Sequence, residues 1–221
     1  MDVQPAAVAE LDGLRDEYVS AILAPDARRA QQLMNDAVNS GIPITRLYLE
    51  VLDPALHEVG TRWEAARITV AHEHLATQIT QAVLARLAAK LVPGDGGRGR
   101  KVVVTCSPGE RHVLGGQMVA DFLEADGWDV LQLGGDTPVE SLAALVESQH
   151  VEFVALSTAL PAHLLAAGAA CAALRRLDPA PFIVAGGQGF EGDEQRALVI
   201  GADAYARDPE ALLHILHARA A

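Results

Sequence analysis

The chain has 221 residues, half of them hydrophobic and only 4% aromatic, and a formal net charge of −12 from 17 Lys+Arg against 29 Asp+Glu. That length allows one sizeable domain or two small ones, with a mainly aliphatic core. The acidic balance, without any Lys/Arg-rich run, argues against direct nucleic-acid binding, because such a surface needs clustered positive charge to displace phosphate counterions.

The first half lacks strand signals. Residues 6–23 place apolar groups at three- to four-residue spacing, which predicts an amphipathic helix. Residues 26–39 do the same, entered by Pro25-Asp26 and ended before Gly41. A third helical run, ITRLYLEVLDPALHEVG, spans 44–60, and Pro54 is expected to kink or split it. Thr69 is placed to cap a fourth, running to residue 92. Four helices with short turns predict a helical bundle over 1–91.

Residues 92–100, VPGDGGRGR, hold a proline and four glycines and read as a linker. Beyond it the rhythm changes. Short apolar runs at 102–105, 129–133, 153–157, 182–186 and, weakly, 203–206 alternate with helical patterns of crossover length. That alternation predicts a parallel sheet covered on both faces. The expected fold is therefore α plus α/β, a four-helix bundle and then a flavodoxin- or Rossmann-like five-stranded parallel sheet over 101–221. Such sheets bind ligands outside the carboxyl ends of their strands. The loops there would be CSPGERHVLGG, GGDTP, STALP and GGQGF, the glycine- and hydroxyl-rich stretches of this half.

Cys106 and Cys171 are far apart and outside any CxxC, so two reduced thiols are expected. The N-terminal residues carry acids early and no apolar signal core, and no apolar run is long enough to span a membrane; a cytoplasmic location is expected.

The 106–116 turn holds the first candidate site. A metal-ligating imidazole usually has its other ring nitrogen held by a carboxylate or carbonyl. Glu110, two residues before His112, is placed to do this, with Ser157 extending the chain of hydrogen bonds. Gly109, Gly115 and Gly116 would let a bulky ligand approach the backbone. From these residues alone a satisfied loop histidine remains the plainer reading. The turn has neither GxGxxG nor GxxxxGK[ST], so it carries no dinucleotide fingerprint and no P-loop.

The wider pattern is more specific. Glu110-Arg111-His112-Val113-Leu114-Gly115 resembles the DxHxxG signature of cobalamin-binding domains, with Glu for Asp. That family also has a serine motif on the third strand, matched by Ser157-Thr158-Ala159-Leu160, and a glycine pair after the fourth, matched by Gly186-Gly187. The resemblance implies that His112 is the lower axial ligand of cobalt, with the cofactor's dimethylbenzimidazole displaced and its nucleotide tail threaded into the α/β domain. Ser157, Thr158, Gly186 and Gly187 would line the tail. Gly135, Asp136 and Thr137 would contact the tail or the corrin side chains.

Trp63 and, ten residues on, Glu73-His74 form W-x9-EH, which resembles the cap motif of cobalamin-dependent photoreceptors, the light-responsive repressors of carotenoid genes. Taken by themselves, a Trp at a helix end is usually core and an EH pair is usually a solvated face. The resemblance implies instead that the bundle caps the upper face of the cofactor, with Trp63 on the deoxyadenosyl group, Glu73 accepting from its ribose and His74 close by. His57, His72, His150, His163, His214 and His217 are read as ordinary structural or surface histidines, and nothing supports a zinc site at His57, His72 and His74.

Two departures stand out. The repressors have a histidine directly after the Trp, which takes the vacant upper position after light; here that residue is Glu64. No DNA-binding segment precedes the predicted bundle, so output is expected to pass to a separate effector or another copy, a homodimer by analogy. The photocobilin class adds a bilin such as biliverdin. The resemblance therefore implies an adenosylcobalamin light sensor, not an enzyme. The alternatives are a methylcobalamin carrier of a methyltransferase system and a cobalamin-storage module.

Overall fold

The computed structural model describes residues 5–97 and 99–220, and the side chains from residue 11 onward apart from Arg98. The chain divides into two compact units, Met1–Leu91 and Val92–Ala221.

The first unit is helical: α1 (Pro5–Leu23), α2 (Ala27–Asn39), α3 (Ile44–Leu47), a π-helical turn (Tyr48–Leu52), α4 (Asp53–Glu64) and α5 (Val70–Ala88). Asp26 caps α2, its side chain accepting from Arg29 N at 2.9 Å. Pro54 sits in the first turn of α4, where a missing N–H costs little. The register change it requires is taken up just upstream by the π-turn, in which Asp53 N donates to Tyr48 O. The third run also continues past its expected end at Gly60, to Glu64.

It stops in a Schellman motif. Ala66 N donates to Trp63 O at 2.9 Å and Arg67 N to Arg62 O at 2.8 Å, with Ala66 at φ +53°. Thr69 then opens α5 in a reciprocal capping box with His72, whose ring nitrogen accepts from the Thr69 amide at 3.3 Å. The core is aliphatic with two buried tyrosines, and Tyr18 donates its hydroxyl to Thr80 Oγ1 at 3.1 Å.

The second unit carries β1 (Lys101–Cys106), α6 (Leu114–Asp126), β2 (Asp129–Gly134), α7 (Val139–Ser148), β3 (Phe153–Ser157), α8 (Leu164–Leu174), β4 (Phe182–Gly186), α9 (Glu194–Val199), β5 (Ala204–Ala206) and α10 (Pro209–Ala220). The five strands are all parallel, in the order β2-β1-β3-β4-β5. Alternate residues of each strand enter opposite layers. Val103, Val154 and Ile183 pack with α7 and α8, while Val102, Val104 and Val184 pack with α6 and α10. The order reverses between β1 and β3, so the loops that follow those two strands flank the switch point where such sheets hold ligands.

Residues 92–97 form no helix or strand, but they belong to the second unit. Gly94 N and Gly97 N donate to Ala125 O and Asp126 O at 2.8 and 2.9 Å. A Cβ on Gly97 would come within 2.5 Å of the Trp128 ring, so that glycine serves close packing. Cys106 and Cys171 are free and buried.

Candidate functional site

The site grows from one buried carboxylate. After β1 the chain turns through Ser107–Val113 before α6 begins at Leu114. Gly109, at φ +81°, donates its amide to Asp136 Oδ1 at 3.0 Å, which ties this loop to the one after β2. Glu110, 0% exposed, points inward. Its Oε1 accepts from Arg111 N at 3.0 Å, His112 N at 3.1 Å and His112 Nδ1 at 2.5 Å. Its Oε2 accepts from Ala159 N at 3.1 Å, Leu160 N at 3.2 Å and His163 Nδ1 at 2.8 Å. Burial pushes this carboxyl up, but the bonds from His163 and His112 outweigh it and hold the carboxyl down at about 2. The group is therefore an anion and an acceptor only.

That state decides the chemistry of His112. An acceptor-only carboxylate requires the proton on Nδ1, which in the neutral ring leaves Nε2 as the atom with the lone pair. The ring is held by Glu110 on one side and its side chain is 59% exposed on the other. An uncovered imidazole nitrogen backed by a buried carboxylate is the donor arrangement of a metal ligand. Beneath it, burial pushes the Cys106 thiol up to about 11, with the Glu110 charge adding to the rise, so the thiol stays neutral.

Ser107 and Thr158, both buried, share a hydroxyl–hydroxyl bond of 2.6 Å. The expected extension of the hydrogen-bond chain through Ser157 is corrected. Ser157 contributes its carbonyl, which accepts from Ser107 N at 2.9 Å, while Glu110 is reached from the third loop by Ala159, Leu160 and His163. The side chain of Ser157, at the last residue of β3, is half-buried, as is Thr137.

The glycines fall into two kinds. A Cβ on Gly115 would meet nothing within 4 Å, so the start of α6 is open. A Cβ on Gly135 would come within 2.4 Å of Glu110 O and 2.9 Å of Val113 Cγ1. On Gly186 it would lie 2.5 Å from Ala206 O, and on Gly187, at φ +105°, 2.4 Å from Thr158 O. These three are required by the fold itself. They let the loops close on one another.

In the helical unit, Trp63 lies in the last turn of α4 and is 47% exposed, so it is not a core residue. Glu73 and His74 lie in the first turns of α5. Glu73 Oε2 is 2.5 Å from His74 Nδ1, and its Oε1 accepts from Thr77 Oγ1 at 2.9 Å. His72 is spent on the helix cap.

The sequence matches the model of the B12 binding domain family over residues 100–214, and a second B12 binding domain model over residues 14–88. The chain belongs to the B12-binding family.

Within that family it is 38% identical over 144 residues to the HTH-type transcriptional repressor CarH of Myxococcus xanthus, covering 65% of this chain and 47% of CarH. It therefore spans about half the length of that relative. It is 29% identical over 215 residues to the repressor CarA of the same organism, covering 96% of this chain and 70% of CarA. The Methanosarcina barkeri monomethylamine corrinoid protein structure shares the fold, with a TM-score of 0.81 at 20% identity, over 94% of this chain and 99% of that one.

The B12 domain's residues fit a corrinoid. His112 offers one uncovered nitrogen for cobalt, and the open start of α6 at Gly115 leaves room beside it. A concavity between α7 and α8, lined by Val139, Ala143 and Leu177 among others, shares no residue with this site.

One residue of the site escaped the sequence reading. His163, taken there as an ordinary histidine, is bonded to Glu110. The available signal was its position, at the head of α8 and six residues after Ser157, in a loop that flanks the switch point.

Proposed function

We propose that this chain is a light sensor that holds adenosylcobalamin in the dark and signals when the adenosyl group is lost. His112 would hold the cobalt, positioned by Glu110. Val113, Gly115 and Leu160 bound the corrin. Ser157, Thr158, Gly186 and Gly187 line the nucleotide tail, and Gly135, Asp136 and Thr137 contact the tail or the corrin side chains. The helical unit supplies Trp63, Glu73 and His74 to the adenosyl group.

One observation carries the sensor reading: Trp63 is a large apolar ring left 47% exposed, ten residues before a partly buried Glu73. An exposed indole offers a face on which a purine stacks. Glu73 keeps unused lone pairs beyond its bonds to His74 and Thr77, and a carboxylate suits a pair of ribose hydroxyls. The identity to CarH supports the same reading.

When bound, adenosylcobalamin would supply a light-sensitive cobalt–carbon bond. Loss of the adenosyl group would remove the partner of Trp63 and Glu73, and that difference would be the free energy available to rearrange the helical unit or the oligomer. Glu64 follows Trp63 where the repressor-type relatives carry a histidine, so the role of that histidine would fall to His74, His72 or water. The output passes to a second copy, in a homodimer, or to a separate effector. The chain acts as a sensor and not as an enzyme.

The test is to load the protein with adenosylcobalamin in the dark and record its absorption and elution volume before and after green light. The reading expects a stable photoproduct and a change in size. Binding with only the slow photolysis of free cofactor would overturn it and put a methylcobalamin carrier in its place. A long-wavelength band on adding biliverdin would extend it to the two-chromophore class.

A further inference from the structure

We propose that the α7–α8 face of the B12 unit is an interface between two copies of this chain, packed antiparallel so that Leu165 of each copy enters the concavity of the other. The proposal goes beyond the sensor reading. It gives a surface to the second copy named there, and it stands without the cofactor.

Helices that cover a parallel sheet turn an apolar side to the strands and a polar side to water. α10 does so, exposing Glu210, His214, His217 and Arg219. α8 does not. Its sequence, LLAAGAACAAL, holds no charge, hydroxyl or amide side chain. Ala167, Ala170, Cys171 and Leu174 are buried, yet Leu165, Ala169 and Ala172 on its outer side face solvent. Leu165 is 89% exposed. A helix that is apolar on every side has the pattern of one that is covered on every side.

Shape says what covers it. The concavity beside α8 measures about 380 Å³ and is walled by Ala143 of α7 and by Ala173 and Leu177 at the C-terminal end of α8. Leu165 protrudes at the N-terminal end of the same helix. One face thus carries a knob at one end and a hole at the other. A two-fold axis lying in that face, perpendicular to α8, sets Leu165 of the partner subunit over the hole and forms the reverse contact at the same time. Ala169 and Ala172 lie between the two contacts and let the helices approach closely.

Charge points to the same arrangement. The concavity is edged by Glu140 and Glu147 on α7 and by Arg176 just beyond α8. None of these three side chains takes an ion pair among the described residues. α7 and α8 both cross back from parallel strands and so run in the same direction. Glu140 lies in the first turn of α7, at the end opposite Arg176. Antiparallel packing therefore carries Arg176 to Glu140 of the partner subunit, twice in each dimer. A face that holds both signs is complementary to itself, as contact between like copies requires.

Sedimentation velocity of the full chain, cofactor-free and in the dark, tests this. The native protein should contain dimer at about 50 μM. Leu165→Asp should weaken association at least about tenfold and leave the far-ultraviolet circular dichroism unchanged. Arg176→Glu and Glu140→Arg should each weaken it about tenfold, and the double variant should return to within about threefold of native. If Leu165→Asp does not fold, the charge swap decides alone. A native chain that stays monomeric overturns the proposal and leaves the face to a different protein. A dimer that tolerates Leu165→Asp overturns it too, because another surface then holds the copies together. Restoration of Arg176→Glu by Glu147→Arg in place of Glu140→Arg would mean parallel packing and would equally overturn it. Failure of the native chain to bind cobalamin or respond to light removes the sensor reading and leaves this measurement intact.

Discussion

Glu110→Gln tests the central joint of the B12 domain. Glutamine keeps the volume but turns one carboxylate oxygen into an NH2 group. Whichever way that group faces, three donors lose their acceptor: Arg111 N, His112 N and His112 Nδ1, or Ala159 N, Leu160 N and His163 Nδ1. An imidazole can change tautomer and accept, so the firm loss is the two backbone amides, with the third softened. At about 1–1.5 kcal/mol for each, the cost is about 3 kcal/mol. The lowering of the carboxyl from 4.5 to about 2 leads independently to a similar figure, about 3 kcal/mol. Urea unfolding followed by Trp128 fluorescence in a Trp63→Phe background reads this unit alone, because Trp128 is buried within it. Glu110 lies below its unfolded value, so its contribution is complete above about 4.5 and is lost as pH falls toward 2. The gap between the native protein and Glu110→Gln should therefore shrink across that window. A gap under about 1 kcal/mol at neutral pH, or one that stays constant on acidification, would refute the reasoning.

Three further outcomes follow from local geometry. Ala66 holds a left-handed conformation that favours glycine, so Ala66→Gly should stabilise the helical unit by about 0.5–1 kcal/mol in thermal unfolding, and no gain would deny the strain. Gly115→Ala meets open space at the head of α6, so it should leave stability unchanged or raise it by up to about 1 kcal/mol while weakening cobalamin binding at least about tenfold; unchanged affinity would place the cofactor elsewhere. Trp63→Ala should change stability by less than about 1 kcal/mol, since the ring is half exposed, but abolish discrimination between adenosyl- and methylcobalamin in dark titrations; retained discrimination would remove Trp63 from the site.

The α/β architecture was legible because its signals are local and strong. Apolar runs of strand length, four of them closed by a glycine- or hydroxyl-rich loop and all separated by helical patterns of crossover length, fit a parallel sheet covered by helices. Helix limits were less legible. Gly60 reads as a stop, yet the Schellman bonds that end α4 lie six residues on, at Ala66, where no glycine announces them. The glycine pair at 186–187 was legible as a motif but not in its physical reason. It clears the carbonyls of Ala206 and Thr158, which only the folded loops bring together. His163 was illegible for the same cause. Its bond to Glu110 spans 53 residues and depends on the switch-point topology, not on spacing.

The most direct test of the account is dark binding of adenosylcobalamin to the native protein and to His112→Ala, followed by absorption. The account predicts that the native protein displaces the cofactor's benzimidazole and shows a histidine-ligated spectrum, while His112→Ala binds at least about tenfold more weakly and lacks that spectrum. A native complex that keeps the spectrum of free cofactor, or an alanine variant that binds with native affinity and spectrum, would contradict it.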